Sequence, residues 1–282
     1  MFHFDKKIIQ VKDYSVSKEK FDLYLDSEYD LLKTMPFPEL NELGKYYESE
    51  DYISHTDGTR NLFEKVYQLV KKKTLNDKIG WIKSKHSNIQ KILDIGCGTG
   101  DFLFRANQEG WKVFGFEPNE KAKAISKSKN INLIDDLDSF EKHTFDVITM
   151  WHVLEHVLDL DKQIKQIKSL LKPNGILIIA VPNFKSYDAQ FYKSDWAAYD
   201  VPRHLWHFSK TAIKKIFKNY QMELIHIKPM YFDSFYVSLL SEKYKTGKMN
   251  PFRAFYVGLL SNLKGKSSKE YSSHVYFLKN LK

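Results

Sequence analysis

Lys91-Ile92-Leu93-Asp94-Ile95-Gly96-Cys97-Gly98-Thr99-Gly100 is the stretch that decides the fold of this 282-residue chain. A short apolar segment runs straight into a turn with three glycines, the pattern of a buried strand that delivers its backbone to a ligand. The rhythm continues downstream. A helix is expected over 101–109, a strand over 112–116 ending at Glu117-Pro118, and a helix from Asn119 or Glu120. Strands follow over 131–134 and 145–150. Asp159 and Asp161 then open an amphipathic helix carrying Ile164, Ile167, Leu170 and Leu171, closed by Lys172-Pro173-Asn174-Gly175. Ile176–Val181 is a wholly apolar fifth strand. Continuous apolar strands alternating with helices predict an α/β fold, a parallel sheet covered on both faces.

Upstream, residues 1–90 lack this rhythm. Short β-like pieces lie within 11–25, Met35-Pro36-Phe37-Pro38 punctuates them, and a helix is expected over 57–73 on the spacing of Leu62, Phe63, Val66, Leu69 and Val70. Towards the C-terminus, Phe232–Ser241 is echoed by Phe252–Ser261, each with apolar groups at i, i+3, i+4, i+7 and i+8. These segments predict a helical hairpin inserted before a last strand over 273–278. The hairpin is expected to roof an acceptor pocket with aromatic side chains. The competing reading is an interfacial membrane contact, with Lys243, Lys245, Lys248 and Arg253 beside the aromatics.

Composition bounds the rest. Hydrophobic residues make up 43% of the chain and aromatic ones 15%, enough for a packed core. No apolar run approaches the ~18 residues of a spanning helix, and residues 1–7 carry no signal-peptide core, so a cytoplasmic location is expected. The single cysteine, Cys97, excludes internal disulfides and multi-cysteine zinc sites. A net charge of +9 reads first as a lysine-rich solvated surface.

The glycine turn does not suit a phosphate. A dinucleotide fingerprint needs a further glycine beyond Gly100, where this chain has Asp101, and no Gly-Lys-Ser/Thr follows. Carboxylates flank the turn instead. Asp94 closes the first strand and Glu117 the second, where an acid can accept both hydroxyls of a ribose. A cationic, ribose-bearing ligand without phosphate, such as S-adenosylmethionine, fits those charges.

With Leu154-Glu155-His156 and Leu171-Lys172-Pro173-Asn174-Gly175 in order behind it, this pattern resembles the class I S-adenosylmethionine-dependent methyltransferases. The resemblance is strongest over 91–183. It implies a Rossmann-like seven-stranded sheet with an antiparallel last strand, and S-adenosylmethionine as cofactor. It places the methionine part of the cofactor on Asp94, Gly96, Cys97, Gly98 and Gly100, the ribose at Glu117 and Pro118, and the adenine beside Asp136 and Leu137. Trp151 and His152 join the cofactor's neighbours, as do Tyr46 and Tyr52 from an entry segment. Val201–Phe208 is similar to the small-molecule branch, which includes sugar and quinone-type enzymes. Residues 1–55 resemble a relative's zinc ribbon without its cysteines, so no metal is carried over. The implied organisation is this extension, a helical entry segment over 56–90, and a methyltransferase domain over 91–282 with the helical insertion at 232–265.

The implied reaction is O- or C-methylation of a small molecule, acidic or apolar and aromatic in character, assisted by a histidine, the natural base at neutral pH. His204, His156 and His207 are the candidates, with Asp200 or Tyr199 to orient them and Arg203 to meet an acidic group. Methylation of nucleic acid is the alternative, although the amino-group clamp expected after the fourth strand is replaced by Met150-Trp151-His152-Val153. A silent S-adenosylmethionine-binding protein is a third reading. His152-x-x-Glu155-His156 matches an inverted zinc-protease motif letter for letter, but follows directly from an apolar strand rather than lying on a helix.

Overall fold

The computed structural model describes residues 2–39, 42–47, 62–86 and 88–281. The chain opens with three antiparallel strands, β1 (Lys6–Lys12), β2 (Lys20–Asp26) and β3 (Leu31–Met35). Asp13, fully buried after β1, turns the chain by accepting the backbone N–H groups of Ser15, Val16 and Ser17. A long helix, α1 (Leu62–Lys83), leads to the main sheet. It ends ten residues later than the apolar spacing indicated, because Ile79 and Ile82 extend its buried face. The expected start at Asp57 lies outside the described residues.

The main sheet begins with β4 (Lys91–Ile95), α2 (Asp101–Asn107), β5 (Lys112–Phe116), α3 (Glu120–Ser128) and β6 (Leu133–Ile134). It continues through β7 (Phe145–Trp151), α4 (Leu160–Leu170) and β8 (Leu171–Pro182). Asn119 and Asp159 cap α3 and α4 with their side chains. β8 starts at Leu171, five residues before Ile176, because Leu171 already pairs with Phe145 ahead of a register shift. After α5 (Tyr187–Tyr192) comes β9 (Trp206–His207), which does not join this sheet. It pairs with Leu32 and Lys33 of β3 and completes the small sheet. α6 (Lys210–Asn219), β10 (Met222–Pro229), α7 (Asp233–Thr246), α8 (Pro251–Ser268) and β11 (Ser273–Asn280) finish the chain.

The seven strands run in the order β10-β11-β8-β7-β4-β5-β6, with β4 through β8 parallel and β11 antiparallel to both neighbours. This is the seven-stranded methyltransferase-type sheet that the motifs implied. Alternation within each strand divides the core between two faces. Leu93 and Ile95 pack with Leu177 and Ile179 against α4 and α6. Ile92, Val147 and Ile178 pack on the other side against α1 and α2.

The hairpin forms, but its faces differ from expectation. α7 and α8 meet at Ser234, whose buried hydroxyl donates to the Gly258 carbonyl at 3.1 Å, while buried Ser241 and Ser261 bond the loop after α5 and Asp188. A Cβ on Gly258 would lie 2.7 Å from Phe235, so the two helices approach as closely as glycine allows. The aromatic stripe of α8 points outward instead of lining a pocket, with Phe252 91% exposed and Tyr256 61%.

Arg203 joins the small sheet to the loop that follows α5. Its guanidinium is buried, donating to both oxygens of Asp200, to Asp13 at 2.9 Å and to the Tyr46 carbonyl at 2.9 Å. The sequence reading reserved this side chain for an acidic substrate; every arm of it is committed internally. Removing the arginine strands the fully buried Asp13. Arg203→Met should therefore cost about 3–5 kcal/mol, the usual penalty for breaking a buried ion pair from one side. Urea unfolding at neutral pH should show this as a large drop in midpoint. A midpoint near that of the wild type would remove Arg203 from the structural frame.

Candidate active site

The glycine turn sits at the C-terminal edge of β4, hung from β5 by the N–H groups of Gly96 and Cys97, which both donate to the Phe116 carbonyl. Gly96 has φ +71°, and a Cβ there would meet Val153 at 2.4 Å; at Gly100, φ +77°, it would meet Ser126 at 2.4 Å. Both glycines are required by contact as well as by conformation. Gly98 differs. Its φ is +55°, but a Cβ would touch nothing within 4 Å among the described residues, so on their side this part of the turn borders open space.

Two buried carboxylates flank that space. Glu117 accepts the Gly98 N–H at 2.8 Å with one oxygen and the Asn119 N–H at 2.8 Å with the other. Asp94 accepts the Thr149 hydroxyl at 2.6 Å. Burial, helped by the charge of Glu117, raises the Asp94 carboxyl to about 7, against the pull of Thr149 and Lys78. Cys97 faces the core, and burial, with Asp94 and Glu117 nearby, pushes its thiol up to about 12. It contributes backbone to the turn rather than a nucleophile.

A cation already stands in these surroundings. The half-buried Lys78 ammonium of α1 lies 4.0 Å from the centre of the Trp151 ring, a cation–π contact. Burial lowers its pKa to about 8, while Asp94 and Asp233 oppose that fall. The Trp151 indole N–H is buried without a partner. Sequence reasoning named Trp151 and missed Lys78, one lysine among many on a helix. It also missed the pairing of Asp101, held by Lys71 at 2.9 Å and Lys129 at 2.5 Å.

The histidines divide into two groups. His152, in the left-handed region at φ +57°, follows β7. Its Nδ1 lies 3.3 Å from Glu155 and its Nε2 3.1 Å from Asp233 on the first turn of α7. Burial alone would lower its pKa, but the two carboxylates hold it up at about 10, as an imidazolium. The zinc-protease match therefore fails on geometry.

His156 and His204 meet edge to face with ring centres 4.5 Å apart. The Nδ1 of His156 bonds the Arg203 carbonyl at 3.0 Å, and that of His204 bonds the Ala198 carbonyl at 2.9 Å. A carbonyl only accepts, so both Nδ1 atoms carry hydrogens and in the neutral rings both Nε2 atoms keep lone pairs. Burial and the neighbouring His204 lower His156 to about 4. Glu155, beneath them, leaves its Oε2 buried and unpartnered. Glu155, His156 and His204 each bring one ligand-type atom within 4.8 Å of the others, the one such trio among the described residues. These three could accept protons or hold a cation.

The remaining sequence-named residues sit apart from this cluster in their contacts. His207 is buried, faces Tyr199 and shares a 3.0 Å hydrogen bond with Thr34, whose hydroxyl also donates to the His204 carbonyl; it braces the small sheet. Tyr46 donates to Glu19 and packs on Phe21 in the small-sheet core, away from the role expected of it. Pro118 and Asp136 are exposed, the latter capping a short turn, and Leu137 is buried in the core. Tyr52 lies outside the described residues.

A family model described as a methyltransferase domain matches residues 50–227. Among curated proteins, the ubiquinone biosynthesis O-methyltransferase of Bradyrhizobium diazoefficiens is 27% identical over 130 residues, 41% of this chain and 51% of that one. The protein of the same name from Pelagibacter ubique is 38% identical over 107 residues, 34% and 45% of the two chains. The chain thus spans about half the length of the curated relatives it matches. Similar solved structures include an S-adenosylmethionine-dependent methyltransferase, a possible histamine N-methyltransferase, from Thermotoga maritima. It has a TM-score of 0.52 at 16% identity, over 77% of this chain and 94% of that one. Magnesium protoporphyrin IX methyltransferase from Synechocystis PCC 6803, with bound S-adenosylhomocysteine, gives 0.51 at 16% identity, over 86% and 94%. At these identities the structures show a shared fold.

The His152 ion pairs carry a pH signature. A histidine raised by its partners stabilises the fold fully below its unfolded value near 6.5 and loses that contribution as pH climbs through about 10. His152→Asn, which tolerates the left-handed backbone, should unfold more easily than the wild type at pH 6, and the gap should close towards pH 10. Urea melts of both proteins across that range test this; a gap that stays constant with pH contradicts it.

Proposed function

Because the chain belongs to the methyltransferase-domain family, we propose that it transfers a methyl group from S-adenosylmethionine to a small-molecule acceptor, as an O- or C-methylation assisted by a histidine. The observation that carries this reading is the open side of Gly98 set between the buried carboxylates Asp94 and Glu117. A phosphate would be repelled there. A ligand with ribose hydroxyls and cationic groups meets matching partners, and the ammonium of Lys78 on the Trp151 face indicates that these surroundings accept a cation.

In this reading Glu117 receives the ribose hydroxyls, and the backbone of the glycine turn allows the close approach. Asp94, Trp151 and its free N–H face the methionine end. When bound, S-adenosylmethionine supplies a methyl carbon already activated by its sulfonium. The chain's task is then to align an acceptor, exclude water and take up the acceptor's proton. His204 is the chosen base: its Nδ1 is fixed on Ala198, which leaves Nε2 to accept. His156, held neutral against it, and the unpartnered oxygen of Glu155 support the ring and the charge it gains. The quinone-type names among the relatives support an acceptor with an aromatic hydroxyl.

Calorimetry should find binding of S-adenosylmethionine or S-adenosylhomocysteine, and none of NAD or ATP. Asp94→Ala and Glu117→Ala should each weaken binding by about 10- to 100-fold, the loss expected of a charge-assisted hydrogen bond. Affinity for the cationic cofactor should also fall as pH drops through about 7, where Asp94 takes up its proton. Unchanged affinity in both variants would sink the assignment. With an acceptor identified from a panel of phenols and sugars, His204→Ala should keep cofactor affinity and lose ~10²–10⁴-fold in turnover. Near-normal turnover would move the role to His156 or leave the reaction without a base.

A further inference from the structure

Apart from Phe255, whose ring stacks on Phe235 of α7 with centres 5.3 Å apart, the outer face of α8 is open among the described residues. Phe252, Phe255, Tyr256, Leu259 and Leu263 follow one another at helical spacing, and they are 91, 60, 61, 40 and 48% exposed. The buried positions of both helices are meanwhile filled by serine, glycine, alanine and valine, with Glu242 as the one charged group among them. The segment thus turns its large apolar groups out and its small polar ones in, the reverse of an ordinary surface helix. Exposed contiguous apolar surface of this kind marks a contact site.

Charge decides what the contact is. Residues 233–268 hold six cationic side chains against two acidic ones, Asp233 and Glu242. Both acids are turned to internal partners: Asp233 to His152, and the fully buried Glu242 to Tyr192 and Arg253. Lys248 and Lys266 stay exposed, while Lys264, also exposed, lies 3.9 Å from the centre of the Tyr187 ring. A second copy docked on this face would bring like charges together. An anionic lipid surface would meet them with opposite charge and take the aromatic rings into its headgroup region. Neither hairpin helix is long and apolar enough to cross a membrane, so the contact is interfacial.

We propose that the α7–α8 hairpin seats the protein on an anionic lipid surface, aromatic face down, with its lysines at headgroup level. The proposal is independent of the cofactor reading, since it rests on residues outside the glycine turn and the histidine cluster. The full-length chain should sediment with vesicles of phosphatidylcholine and phosphatidylglycerol, fail to sediment with phosphatidylcholine alone, and come off the anionic vesicles at high salt. Phe252→Ser combined with Tyr256→Ser should lower the bound fraction by about tenfold or more, with the thermal midpoint unchanged because both side chains are exposed. Lys248→Glu with Lys266→Glu should lower it as well. Three results would overturn the proposal: no preference for anionic vesicles; binding that survives both pairs of substitutions; or a dimer in vesicle-free sedimentation that the serine pair dissolves, which would give the face to a second copy.

Discussion

Everything near the histidine cluster depends on one buried charge network, Arg203 with Asp13 and Asp200. A guanidinium removed from water must have its donors satisfied, and here the acceptors come from three separate parts of the chain: the turn after β1, the short helical turn Leu43–Tyr47, and the loop after α5. Satisfying Arg203 therefore fixes those three parts relative to one another. The next residue is His204, and the Arg203 carbonyl is the acceptor for His156. The side chain holds the frame while the backbone of the same residue orients the imidazole.

The main sheet supplies the other half of the geometry. Parallel strands deliver their C-terminal ends to one edge, so Asp94, Glu117, Trp151 and the 152–156 loop converge without any long excursion. Sequence-distant β9 arrives at the same edge from the small sheet, bringing His204 against His156. A mixed arrangement of two sheets thus brings the carboxylates of the glycine turn and the His156–His204 pair to one end of the molecule.

The sequence made the sheet legible because its strands are buried on both faces and read as apolar runs between glycine and proline punctuation. The glycine turn and its two acids were legible for a similar reason: local chemistry there is set by neighbours in the chain. What escaped was non-local. Lys78 acquires its meaning only from Trp151, 73 positions away, and nothing in a lysine-rich helix singles it out. His207 and His204 look equivalent three residues apart, yet the pairing of β9 with β3 commits one to Thr34. The hairpin was read correctly as helices, but its facing was misjudged. An amphipathic stripe has two sides, and small residues on the polar side formed the tighter packing.

Beside the Ala197–Ser241 hydrogen bond, the bridge from His152 to Asp233 adds a charged link between the hairpin and the histidine cluster. One end of it abuts Glu155 below the histidine pair; the other lies on the first turn of the hairpin. Any occupant of the hairpin surface that shifts α7 must change the free energy of the imidazolium, and with it the charge felt by Glu155. Thermodynamic reciprocity then applies: a change of protonation or ligation at the cluster alters affinity at the distant face by the same factor. One imidazolium thus joins the first turn of the hairpin to the loop beneath the histidine pair.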